Sequence, residues 1–241
     1  MNAVDTVKQA LLASGAGWIL WFLGALSAAS LAFAAERWWY LRGRAGNLEE
    51  LARRLDAALG AGDFARAGTV LNESRAVAAR VAGAGLRLRE RGAAAAEKAM
   101  QSATALERTR LERGLAFLAT VGNNAPFVGL FGTVVGVIHA FEELGHDAAG
   151  RGATTAAGQA ASQAVMASIA EALVATAVGI AVALPAVATY NYLQRRVASL
   201  LAGSDVLTNL VLAYMTTTAS DARDGGSSPG RVPEEAVDGA A

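Results

Sequence analysis

The residue best suited to chemistry in this 241-residue chain is a carboxylate inside an apolar segment. Residues 152–194 span 43 positions and contain a single charged side chain, Glu171. A carboxylate that faces lipid is costly, so such residues usually face a water-lined cavity or another protein. No basic residue lies within the apolar runs to neutralise it. We therefore interpret Glu171 as a candidate proton or ion site, and a structural hydrogen bond to a neighbouring helix is the alternative.

Two hydroxyls and a set of small residues accompany this carboxylate. Thr133 and Thr176 could line a polar path with Glu171, although a lone helical threonine often bonds a backbone carbonyl four residues back. Small residues let membrane helices approach closely, and prolines remove a backbone donor. We expect roles in helix packing or assembly for Gly129, Gly132, Gly136, Ala175, Gly179, Pro126 and Pro185.

Three apolar runs must position these side chains. Residues 9–35 and 114–141 carry no charged side chain, and each run exceeds the roughly 20 residues that cross a bilayer. An all-α membrane protein follows, with spans at 17–40, 114–141 and 158–193. The first run could instead be a signal peptide, but its flank lacks a basic cluster and its length exceeds the usual ~7–15 residues. Buried helices of a large soluble core are the other alternative.

Charge placement predicts the topology. Residues 36–113 hold 15 basic and 10 acidic groups, whereas residues 142–151 hold three acidic groups and one basic group. By the positive-inside rule the second segment lies outside. The pattern predicts an outer N-terminal segment, a cytoplasmic helical region, a short periplasmic loop, a cytoplasmic helical extension and a disordered tail, at residues 1–16, 41–113, 142–157, 194–218 and 219–241.

Capping residues divide the cytoplasmic region into helices. Asn47 and Asp63 are typical N-caps, and residues 60–62 (GAG) stop the helix between them. The pattern then predicts one helix from 64 to 91 and another that begins near Ala93 and continues into the second span. Two of the three spans are thus expected to extend into a cytoplasmic bundle.

Several function classes are excluded. The net charge is zero, which disfavours nucleic-acid binding, and the absence of cysteine removes thiolate metal sites and cysteine nucleophiles. His139 and His146 match no zinc spacing. Neither a phosphate-binding loop nor a nucleophile–base signature is present, so we predict a protein that is not an enzyme and has no cofactor or metal.

Two stretches resemble the MotA/TolQ/ExbB proton channel family. Residues 122–136 (GNNAPFVGLFGTVVG) are similar to its second-span signature, and residues 169–186 (IAEALVATAVGIAVALPA), followed by Tyr190 and Asn191, to its third-span signature. The resemblance covers about residues 115–195. Three spans and one short outer loop resemble the TolQ/ExbB branch more than flagellar MotA.

The resemblance implies a function and partners. Such proteins form inner-membrane rings, pentameric in well-known members, around a single-span ExbD/TolR-like partner with an intramembrane Asp. Proton flow between ring and partner then performs work on the cell envelope, through a TonB/TolA-like or motility partner. Glu171, Thr133 and Thr176 would occupy the family's polar pore positions. A non-conducting scaffold and a sodium-coupled channel remain the alternatives.

Overall fold

The computed structural model describes residues 17–150 and 155–224, and the regular structure within these ranges is helical. Seven α-helices and one short 3-10 turn (Arg89–Arg91) follow each other along these residues. The helices are α1 (Gly17–Arg42), α2 (Leu48–Gly60), α3 (Phe64–Glu73), α4 (Val77–Leu86), α5 (Ala93–Glu112), α6 (Leu115–Gly150) and α7 (Thr155–Asp224).

Three helices in the described ranges are long and apolar enough to cross a membrane, as predicted. They comprise Gly17–Arg42, Leu115–Glu142 and Ser162–Thr217. The chain is therefore a multi-pass membrane protein with three candidate spans. The third apolar stretch is 56 residues long, which corresponds to about 84 Å of helix against a hydrocarbon core of ~30 Å, so a large part of it must lie outside the bilayer.

The described chain forms two compact units. The first contains residues 17–42 and Thr109–Ala198, which comprise α1, the last turn of α5, α6 and the first part of α7. Its core consists mostly of aliphatic side chains from α1, α6 and α7. The buried members are Ile19, Leu23, Val121, Ala125, Val135, Val182, Ala183 and Ala186.

The outer surface of this first unit is also apolar. Trp21 is 83% exposed on α1, Phe127 is 68% exposed on α6 and Leu184 is 67% exposed on α7. Side chains of this size and number are not left in water by a soluble protein. The surface therefore suits lipid tails or neighbouring membrane subunits.

The second unit contains Gly43–Arg108 and the part of α7 that begins at Ser199. The Tyr214 hydroxyl of α7 donates a hydrogen bond of 2.8 Å to Asp56 Oδ1 of α2. Between α4 and α5, Arg80 forms an ion pair of 2.6 Å with the buried carboxylate of Glu107. A buried carboxylate is tolerated only when it is paired, so this contact fixes how α4 and α5 pack.

The predicted caps of this unit are confirmed. Asn47 Oδ1 accepts a hydrogen bond from the Glu50 amide at 3.3 Å, and Asp63 Oδ1 accepts one from the Arg66 amide at 2.8 Å. Each cap satisfies an amide that has no partner within the first helical turn. Helix α2 ends at Gly60, which agrees with the predicted stop.

Two helix predictions for the region between the first and second spans are wrong. The predicted helix 64–91 is interrupted at residues 74–76. There the Ser74 hydroxyl accepts a hydrogen bond of 3.2 Å from the Ala76 amide, in place of a backbone carbonyl of the helix. Helix α5 does not continue into the second span, because Gly114 adopts φ +79° between α5 and α6. Of the spans, only that of α7 continues without interruption into the second unit.

The remaining predicted boundaries differ in extent. Helix α6 continues to Gly150 and α7 begins at Thr155, so both helices enter the segment predicted as the loop 142–157. Helix α7 covers the predicted extension 194–218 and ends at Asp224, inside the predicted tail. The predicted N-terminal segment 1–16 and the rest of the tail lie outside the described residues.

Gly114 gives a prediction about the break between α5 and α6. An L-residue is strained at φ +79°, and a Cβ at this position would collide with the Phe33 ring of α1. We expect Gly114→Ala to lower the free energy of unfolding by about 2–4 kcal/mol, the sum of backbone strain and overpacking. Thermal unfolding of the full chain in detergent measures this loss.

Gly62→Ala is the matched control for the backbone contribution. Gly62 has φ +69°, and a Cβ there would meet no atom within 4 Å. This variant should lose only the conformational part, about 1 kcal/mol. Equal losses in the two variants would contradict a steric role for Phe33.

Candidate functional site

Helices α6 and α7 pack backbone to backbone at the centre of the first unit. A Cβ at Gly129 would lie 2.7 Å from the Ala175 carbonyl oxygen and 2.9 Å from the Thr176 Cα. A Cβ at Gly179 would lie 2.7 Å from the Ala125 carbonyl oxygen. Real Cβ atoms do not approach backbone this closely, so only glycine at both positions allows this distance between the helices.

The other small residues set the antiparallel register of this pair. A Cβ at Gly132 would lie 2.8 Å from the Ala175 Cβ, and one at Gly136 would lie 2.6 Å from the Ala172 Cβ. Pro126 and Pro185 lie inside α6 and α7, which are continuous across them. Gly132 faces Ala175, and the residues that follow them step in opposite directions in an antiparallel pair, so Thr133 and Thr176 lie about 3 Å apart along the helix axes.

The hydroxyls of Thr133 and Thr176 differ in their hydrogen bonding. Thr133 donates a hydrogen bond of 2.6 Å to the carbonyl of Leu130, three residues back in its own helix. The Thr176 Oγ1 is buried and has no hydrogen-bond partner in the described part of the chain. An unpaired buried hydroxyl costs free energy, which is recovered when water, an ion or another chain supplies a partner. Thr176 is therefore the hydroxyl that remains available for a polar path.

Glu171 lies on the exposed surface of α7. A Cβ at Gly17 would lie 3.5 Å from Glu171 Oε1, so the carboxylate sits beside the first described residue of α1. Among the described residues, none forms a hydrogen bond or an ion pair with this carboxylate. It is thus placed to interact with water or with a group that another chain contributes.

Glu171 and Thr176 do not form one cluster within a single chain. Five residues separate them, which corresponds to about 7.5 Å along the helix axis and about 140° around it. Thr176 contacts the α6 interface, whereas Glu171 flanks α1. The sequence analysis grouped Glu171 with Thr133 and Thr176, but the fold separates the carboxylate from the two hydroxyls.

The histidines add no metal site within the described chain. No group of three or more His, Asp or Glu side chains able to hold a metal ion occurs among the residues that the structure describes. His139 lies on α6 and is half-buried, while the side chain of His146 lies outside the described set.

One residue of this site was missed by the sequence reasoning. Gly17 approaches Glu171 from a different helix, more than 150 residues away along the chain. No local pattern marks such a position, since a glycine at the edge of an apolar run has no periodicity of its own. Only the packing of α1 against α6 and α7 reveals it.

Comparison with known proteins identifies a family whose sequence profile covers these residues. The profile described as the MotA/TolQ/ExbB proton channel family matches residues 73–204, more than half of the chain. This range contains α6 and the membrane part of α7, with Glu171, Thr133 and Thr176.

Individual relatives are similar over shorter stretches. The Tol-Pal system protein TolQ of Pseudomonas aeruginosa is 46% identical over 99 residues, which are 41% of this chain and 38% of the relative. The biopolymer transport protein ExbB of Xanthomonas campestris is 36% identical over 121 residues, 50% of this chain and 44% of the relative. The TolQ protein of Haemophilus influenzae is 45% identical over 100 residues, 42% and 40% respectively. The matches therefore span less than half the length of these relatives.

Proposed function

Because the chain belongs to the MotA/TolQ/ExbB proton channel family, we propose that it is the channel and motor subunit of an inner-membrane complex of the TolQ/ExbB type. It would conduct protons together with an ExbD/TolR-like partner and convert the proton-motive force into mechanical work on the cell envelope. Family membership also makes the chain a transport protein rather than an enzyme.

The observation that carries this proposal is the state of Glu171. An exposed carboxylate on an apolar helix without a partner in the described chain is expensive in a membrane unless water or another protein completes its environment. An ion path between this chain and a partner would supply both the water and the second protein. The unpaired Thr176 hydroxyl supports the same reading, since a second polar group lies deeper in the same unit and also lacks a partner.

Glu171 and Thr176 lack polar partners within the described chain, which suggests that other chains complete the site. We propose a homo-oligomer, pentameric as in well-known family members, around a single-span partner whose intramembrane Asp faces Glu171, Thr133 and Thr176. The apolar surface with Trp21, Phe127 and Leu184 supports this, because neighbouring subunits and lipid would cover it. A TonB/TolA-like or motility protein would receive the motion.

The proposed orientation follows the charge distribution. The basic excess in residues 36–113 supports a cytoplasmic second unit, with the N-terminus and the segment between the second and third spans in the periplasm. A proton that enters from the periplasm and crosses 100 mV releases about 2.3 kcal/mol. A few protons per step would be enough to switch the packing of helices between two states.

A cellular experiment tests the coupling. The chain is expressed with its partner, and the energised process is measured as outer-membrane uptake or as resistance to detergent. We expect a protonophore to abolish the process and removal of external sodium to leave it unchanged, because protons carry the free energy.

Two alternatives give different results in the same experiment. A process that persists under the protonophore and stops without sodium would indicate a sodium-coupled channel. Persistence under both treatments would indicate a non-conducting scaffold and would contradict the proposed function.

A further inference from the structure

The depth of Glu171 in the membrane can be measured against α1. Glu171 Oε1 lies beside Gly17, and Trp18 follows as the next residue. Trp38 and Trp39 lie near the other end of the same helix, and tryptophans at both ends of a span mark the two interfaces. From Trp18 to Trp39 the helix measures about 32 Å, close to the ~30 Å hydrocarbon thickness. On this scale Glu171 is level with the interface at the N-terminal end of α1.

Helix α6 gives an independent measurement. A Cβ at Gly136 would lie 2.6 Å from the Cβ of Ala172, the residue after Glu171. From Leu115, where the helix begins beside the charged Arg113, to Gly136 the distance is about 32 Å. The apolar stretch of α6 continues to Glu142, about 9 Å beyond Gly136, so on this helix Glu171 lies in the outer part of the span. Both helices place Glu171 in the outer half of the span, whereas the third-span range predicted from sequence would have put it well inside the bilayer.

We infer that Glu171 stands at the outer, periplasmic mouth of the ion path and not at its midplane. The inference rests on the proposed function for the direction of the path. Thr176 lies about 7.5 Å deeper, in the packed α6–α7 interface. Glu171 then takes up protons from outside water and delivers them to the buried segment.

An interfacial position explains why the chain needs no basic partner for Glu171. The cost of an ionised side chain is highest at the bilayer centre and falls toward the interfaces, where water reaches the group. Gly17 contributes by leaving space in front of the carboxylate, since a Cβ there would already be in van der Waals contact at 3.5 Å. A larger side chain would cover it.

The absence of native cysteine allows a direct test with single-cysteine variants of the full chain, expressed with its partner. Ala164, Glu171 and Leu184 are all exposed on α7, and they follow one another at depths that differ by about 10 Å and about 20 Å. A membrane-impermeant maleimide is added from the periplasmic side. We expect Ala164→Cys and Glu171→Cys to react at least about tenfold faster than Leu184→Cys, because the reactive thiolate forms only where water reaches it.

A second measurement uses the native carboxylate, so that the inference survives a cysteine variant that does not fold. Water-soluble carbodiimide and an amine are added from the periplasmic side, and mass spectrometry quantifies the modified peptide that contains Glu171. We expect modification in the native chain, and we expect Gly17→Leu to slow it while Gly17→Ala leaves it unchanged.

Two results would contradict the outer position of Glu171. A Glu171→Cys thiol as slow as that of Leu184→Cys, together with an unmodified native Glu171, overturns the inference whether or not Ala164→Cys reacts. Labelling only in inside-out vesicles overturns it as well, together with the proposed orientation. Labelling does not depend on conduction, so a reactive position 171 in a non-conducting complex would refute the proposed function and leave the outer position standing.

Discussion

Replacement of Glu171 by Gln is expected to reduce the energised process to background while the complex still assembles. Gln has nearly the same size and can keep hydrogen bonds, but it cannot carry a proton. In the proposed path every transported proton passes this group, so no parallel route replaces it. The measurement is proton uptake into proteoliposomes that contain the chain and its partner, with assembly checked by size-exclusion chromatography of the same preparation.

Glu36→Gln is the matched control for this experiment. Glu36 is also a glutamate on an apolar helix, but its side chain is 55% exposed and already pairs with Arg37 at 3.3 Å. The Glu36 carboxylate is exposed, although Arg37 is buried, and it lies outside the proposed path, so this variant should conduct normally in complexes whose assembly is checked in the same way. Full proton flux in assembled Glu171→Gln complexes would contradict a necessary role of the carboxylate and would favour the scaffold alternative.

Replacement of Gly129 or Gly179 by Ala is expected to disrupt the α6–α7 pair. Each added methyl would lie 2.7 Å from a backbone carbonyl oxygen of the facing helix, and backbone cannot rotate away as a side chain can. The helices must separate, which opens the interface that buries Thr176. We expect a loss of about 3 kcal/mol or more in stability, at the upper end of overpacking effects. Thermal unfolding of the full chain in detergent measures it.

Gly24→Ala provides the control for the loss of a membrane-helix glycine. A Cβ at Gly24 of α1 would meet no atom within 4 Å, so alanine is accommodated there. Its effect should be neutral or stabilising by up to about 1 kcal/mol, since alanine favours helix more than glycine does. Gly129→Ala or Gly179→Ala with the same stability as Gly24→Ala would refute the backbone contact.

Local patterns in the sequence were sufficient for the caps and the spans. Asn47 and Asp63 act on amides within three residues of themselves, so their role depends on little beyond their own turn. The three apolar helices follow equally from composition, because a long run without charges has few alternatives to burial in lipid or protein. The breaks at Ser74 and Gly114 were missed, since neither residue type always ends a helix.

The sequence by itself thus determined the helical class, the three spans and the three polar side chains within them, because residue type and local spacing decide these properties. Only the tertiary structure decided that the Thr176 Oγ1 is buried without a partner among the described residues, that Gly129 and Gly179 bring two backbones together, and that Glu171 lies beside Gly17. Each of these depends on the register between helices that are far apart in the chain. Register is set by side-chain packing, which one-dimensional periodicity does not specify.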